Sequence, residues 1–177
     1  MIRNPLILAT LTLGLVLGGC SNRSIGNKLD DQFLEPDVAS AISSAQADLD
    51  SPASHIVVTA YNGLVLLAGQ TPRADLKERA GQIANNVRGV KKLHNELQIL
   101  PPTSALARSN DALITSRIKA AMLADSNVPS SNIKVVTENG IVYLLGIVTR
   151  TEGAAATNVA ATTSGVQKIV TLYQYIN

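Results

Sequence analysis

The chain has 177 residues, room for one medium domain or two small ones. It is 46% hydrophobic and 16% charged, enough apolar content to bury cores, while 3% aromatic residues and no Trp exclude an aromatic cage or a base-stacking platform. The net charge is +2, with Lys and Arg scattered among acids, which excludes the clustered basic face of a nucleic-acid-binding protein.

The chain opens "MIRNPLILATLTLGLVLGGC". Arg3 supplies a short positive region, and Leu6 to Leu17 is an apolar run too short to span a bilayer. Small residues lead to Cys20, the single cysteine, so no disulfide can form within the chain. Leu17-Gly18-Gly19-Cys20 resembles the lipobox of a bacterial lipoprotein signal; the competing reading is an ordinary secretory signal with a stray cysteine. The resemblance implies that residues 1–19 are a signal peptide and that Cys20 becomes the acylated N-terminus. Ser21, in place of an Asp, then implies sorting to the outer membrane.

Residues 20–33 are polar and read as a tether. The first unit, 34–100, opens with "EPDVASAISSAQADLD", a helix with Pro36 in its first turn and a stripe of Val38, Ile42, Ala45 and Leu49. "HIVVTAY" and "LVLLAGQ" are strands flanking Asn62-Gly63, the signature of a two-residue type I′ hairpin. "ADLKERAGQIANNV" is a second helix with Leu76, Ala80, Ile83 and Val87 on one face, stopped by Gly89. "KKLHNELQIL" is a third strand. A linker, 101–109, opens with Pro101-Pro102.

The second unit, 110–177, repeats that order. "NDALITSRIKAAMLA" is its first helix, expected to be capped by Ser109 or Asp111. "NIKVVTE" and "IVYLLGIV" flank Asn139-Gly140, "TEGAAATNVAATTS" is the second helix before Gly165, and "QKIVTLYQYI" closes the unit. Val58, Val65, Leu67, Gly69 and Arg73 recur 77 residues later as Val135, Val142, Leu144, Gly146 and Arg150. Gly69 and Gly146 lie late in their strands, where glycine marks a bulge or a close approach by a helix. Each unit is therefore αββαβ, and the fold class is α+β: two tandem units, each with two helices on a three-stranded mixed sheet, each marginal alone.

The asparagine-glycine hairpins, the strands ending "LLAG" and "LLG", and the late Gly89-Val90 and Gly165-Val166 resemble the BON domain. A lipobox followed by two such units is similar to the dual BON-domain outer-membrane lipoproteins. That resemblance implies a non-enzymatic protein on the periplasmic face of the outer membrane. It implies binding of anionic phospholipid (phosphatidylglycerol, cardiolipin) through the first helix of the second unit, a role in envelope integrity, and enrichment at the division site. The alternative is a periplasmic adaptor for outer-membrane assembly proteins.

The residues of that helix support the lipid reading independently. At 100° per residue, Ile114, Ile118, Ala121 and Met122 share one face, assigned to the core. The opposite face holds Leu113, Ser116, Ala120 and Leu123, flanked by Arg117 and Lys119. A surface helix needs one apolar stripe for its core; the surplus suits a bilayer, with leucines in the acyl boundary and cations on phosphates. The competing expectation is that Leu113 and Leu123 pack against the first unit. The matching positions in the first unit are Asp37, Ser40, Ser44 and Ala47, flanked by Ala41 and Ser43, a face that is acidic and small with no cation. Relatives can carry an aromatic where this chain has Leu113, so its lipid affinity is expected to be weaker. His55 and His94 have no second metal ligand nearby in sequence. Asp30-Asp31, Asp48, Asp50 and Ser43-Ser44 form no acid/base pair or nucleophile motif, Lys91-Lys92 reads as a solvated strand start, and no cofactor is implied.

Overall fold

The computed structural model describes residues 25–177; the signal peptide, Cys20 and the start of the tether lie outside the described residues. The first unit comprises α1 (Ile25–Ala45), β1 (His55–Tyr61), β2 (Leu64–Thr71), α2 (Ala74–Asn85), β3 (Lys92–Asn95) and β4 (Gln98–Ile99). The second comprises α3 (Ala105–Ala124), β5 (Ile133–Glu138), β6 (Ile141–Val148), α4 (Arg150–Ala161) and β7 (Lys168–Tyr175). In each unit the hairpin strands are antiparallel and the last strand runs parallel to the second, giving mixed sheets. The first unit's last strand is interrupted into β3 and β4, both paired with β2.

Helix α1 starts at Ile25, well before Glu35, so much of the stretch read as tether is helical and Pro36 lies inside the helix, not in its first turn. The reason is the inward face: Asp31, Leu34, Val38 and Ile42, spaced i, i+3, i+7, i+11, are all buried. Burial of that row outweighs the hydrogen bond that proline removes. Asp31 falls in the polar stretch whose composition suits a tether. Its carboxylate instead accepts the backbone N–H groups of Asn62 and Gly63 (2.5 and 2.9 Å). Those residues have φ of 54° and 79°, the left-handed values a type I′ turn requires, and Asn139 and Gly140 repeat them at 51° and 73°.

Strand β2 is buried along its whole length, and β6 is buried except at Ile141 and Ile147. Their alternate residues serve different cores. Val65 and Leu67 pack under α1 and α2, and Val142 and Leu144 under α3 and α4. The opposite faces pack on each other: Tyr61, Leu64, Leu66 and Ala68 meet Tyr143, Leu145 and Leu172 in a third core. The molecule is thus four layers deep, helices–sheet–sheet–helices. Continuous apolar strands of this kind indicate sheets covered on both faces.

The rim of this seam is polar and pseudo-twofold symmetric. Asn62 Nδ2 donates to Gln174 Oε1 (2.8 Å), and its counterpart Asn139 Nδ2 donates to Gln98 Oε1 (3.0 Å). Tyr61 Oη donates to the Asn132 carbonyl (2.5 Å). The equivalent position in the second unit is Glu138, buried 3.5 Å from Nε2 of His55, the equivalent of Asn132. Burial and then the Asp111 carboxylate push Glu138 up from 4.5 to about 7, with the Gln70 amide and Arg108 pulling the other way.

The close approach comes from backbone at the start of the paired strand, His55 in β1 for Gly69 and Asn132 in the turn just before β5 for Gly146, and not from α2 or α4. Gly69 has φ +115°, and a Cβ there would lie 2.0 Å from the His55 carbonyl oxygen; at Gly146 the Asn132 oxygen would be 2.8 Å away. Gly69→Ala is expected to destabilise the protein by about 3 kcal/mol or more, read by denaturant unfolding. Glu138→Gln tests the seam. A carboxyl raised on folding contributes stability that is present below about 4.5 and lost as pH rises through about 7. The Tm of Glu138→Gln should therefore match the wild type in acid and exceed it above pH 7. His55 and His94, both lowered chiefly by burial, act in the opposite sense in both proteins. The difference between the two curves reports Glu138 together with the His55 ring beside it; parallel curves would refute the assignment.

Candidate functional site

Helix α3 starts earlier than its sequence suggests. Ser104 is the cap, its Oγ accepting from Ala107 N at 3.2 Å. Ser109 instead donates to the Ala105 carbonyl, and Asp111 is committed to the hairpin, accepting Asn139 N (2.8 Å) and Gly140 N (2.9 Å). Asp111, Ile114, Ile118 and Met122 are buried, while Ala121, assigned to the core from its spacing, is exposed. The inward row is completed by the acid, not by the alanine.

The outward face is open. Leu113 is 55% and Leu123 78% exposed, and Ser116, Arg117, Lys119 and Ala120 are exposed with them. Neither leucine belongs to the core that joins the two units. Leu106, 81% exposed and two turns before Leu113, extends the stripe. It lies in the stretch 101–109 whose composition suits a linker; Ser104 as a cap and the i, i+7 spacing to Leu113 are the signals in the sequence that mark it as helical. The only acid in α3 is Asp111, which is buried, so Arg108, Arg117 and Lys119 stand on the exposed surface of the helix without a carboxylate among them.

Helices α1 and α3 align in a different register from the hairpins. Asp31 and Asp111 do the same task 80 residues apart, whereas the hairpins match at 77, so the first unit carries three more residues between helix and strand. In the helix register, Leu113, Ser116, Ala120 and Leu123 correspond to Phe33, Pro36, Ser40 and Ser43, and Arg117 and Lys119 to Asp37 and Ala39. The contrast of charge stands. The contrast of apolarity does not, because Phe33 is 68% exposed.

Other polar groups have structural tasks. Arg73 bridges Asp48 and Asp75, both at 3.1 Å. Among the described residues no three His, Cys, Asp or Glu side chains are placed to hold a metal, and no helix is long and apolar enough to cross a membrane.

The sequence profile of the BON domain matches residues 30–101 and 110–176, the two units of the fold. The chain belongs to the BON-domain family. It is 36% identical over 156 residues to the "Outer membrane lipoprotein DolP" of Haemophilus influenzae, covering 88% of this chain and 79% of that one. It is 38% identical over 154 residues to the "21 kDa hemolysin" of Actinobacillus pleuropneumoniae, covering 87% and 78%. To the "Osmotically-inducible protein Y" of Escherichia coli it is 29% identical over 153 residues, covering 84% and 74%. None of these three names is that of an enzyme.

In both BON domains one buried aspartate fixes the first helix to the hairpin tip. Asp111→Ala would leave two backbone donors beneath α3 without their carboxylate. A loss of about 3 kcal/mol is expected in denaturant unfolding; an unchanged midpoint would show that the turn holds itself.

Proposed function

We propose that this BON protein is an outer-membrane lipoprotein, held at the periplasmic face by acylated Cys20, that rests α3 of its second BON domain on anionic phospholipid and so supports envelope integrity. The likeness to an outer membrane lipoprotein supports the location. The exposure of Leu113 and Leu123 beside Arg117 and Lys119, with no exposed acid on the helix, carries the lipid reading. Leucines enter the acyl boundary, and each cation contributes about 1 kcal/mol at an anionic surface. Ser116 and Ala120 are small enough to let the helix lie flat between the two flanking charges.

The acyl-free protein is expected to float with vesicles containing phosphatidylglycerol or cardiolipin, to stay behind with neutral vesicles, and to be released by salt. Leu113→Glu combined with Lys119→Glu should weaken flotation at least about tenfold, since it removes one leucine and one cation and adds two acids. Equal flotation on neutral vesicles, or no loss in the double variant, would reject this function and favour a protein partner for the same helix.

A further inference from the structure

The first BON domain also carries an apolar side chain that its own fold does not use. Phe33, the single phenylalanine of the chain, is 68% exposed at the helix position Leu113 holds in the second domain. Beside it a groove of about 380 Å³ opens toward the Gly89 turn, walled by Leu34 and Val87. Its lining holds the acids Asp30, Asp31 and Asp37 and the bases Arg88 and Lys91; Asp31 is buried against the hairpin N–H groups, so the exposed charges of the rim are two of each sign.

The early start of α1 determines what this surface meets. Only Ser21, Asn22, Arg23 and Ser24 separate Cys20 from Ile25. That leash reaches at most about 18 Å when fully extended, and the helix rises about 12 Å from Ile25 to Phe33. We propose that Phe33 and the groove beside it form a second bilayer contact, made by the first BON domain on the membrane to which Cys20 tethers it. This rests on the lipid-anchor part of the proposed function and is independent of the α3 part.

The two contacts differ in physics. The α3 contact is drawn by charge, so it needs anionic lipid and fades with salt. The Phe33 contact has a charge-balanced rim and gains from the high effective concentration the leash imposes. It therefore needs the anchor, tolerates neutral lipid and survives salt. Because α1 and α3 lie in opposite outer layers of the stack, a single molecule presents one of the two contacts to a given bilayer at a time.

The chain contains no Trp, so Phe33→Trp and Leu113→Trp each introduce a single reporter. Both are placed in the acylated full-length mature protein on vesicles of neutral lipid alone or with phosphatidylglycerol, with brominated acyl chains as quencher. Phe33→Trp should show blue-shifted, quenched emission on neutral vesicles, and on both vesicle types at about 0.5 M salt, where screening reaches only a few ångströms. It should lose the signal in a Cys20→Ala background. Leu113→Trp should be quenched on anionic vesicles only. Solvent-like, unquenched Phe33→Trp emission from protein that floats on neutral vesicles would overturn the proposal, whatever Leu113→Trp does. Quenched Phe33→Trp would uphold it, and unquenched Leu113→Trp on anionic vesicles in the acyl-free protein would separately reject the α3 reading. Failure of the acylated protein to float on neutral vesicles would overturn anchor and proposal together.

Discussion

The apolar seam between the two sheets decides which surfaces of this protein are free. Each BON domain alone would cover one face of its sheet with helices and leave the other wet. Because β2 and β6 are apolar on both faces, the two bare faces close on each other through Leu64, Leu66, Tyr143 and Leu145. That consumes the sheets and pushes all four helices to the outside. A helix in this position has its inner row occupied and its outer row unconstrained by folding, which leaves the outer rows of α1 and α3 open to diverge.

The divergence is visible wherever the pseudo-twofold can be applied. At the seam, Tyr61 with Asn132 is neutral, while Glu138 with His55 is titratable. On the outer helix rows, Asp37 faces Arg117 across the repeat and Ala39 faces Lys119. The inner rows have not diverged: the aspartate that holds the hairpin and the three apolar residues that follow occupy the same places in both copies. Duplication thus preserved the parts that fold the domain and released the parts that meet something else.

Much of this was legible in the sequence. The Asn-Gly hairpins, the strand periods and the repeat fixed the αββαβ units, because those features depend on local turn chemistry and alternation. The outer row of α3 was legible for the same reason: Leu113 and Leu123 are surplus to a single apolar stripe. Two things were hidden. The first turns of both helices are polar, and the buried Asp31 and Asp111 look like solvent charges until their backbone partners across the domain are known. The register between the two helices was also hidden, since an insertion of three residues between α1 and β1 breaks the 77-residue offset that holds for the hairpin strands. Phe33 therefore went uncompared with Leu113. The polar seam could not be read at all, because Glu138 and His55 come together only once the two sheets stack.

The doubly apolar strand β2 has a consequence for how this gene can be cut. A fragment encoding one half would fold its helices over one side of the sheet and present Leu64, Leu66 and Ala68 bare on the other. Such a slab would stick to copies of itself or to a chaperone, and its isolated properties would say little about the same residues in the intact molecule. The covalent joint at Pro101-Pro102 is therefore a weaker boundary than it looks on paper: the two halves have separate interiors but only one shared fate on unfolding.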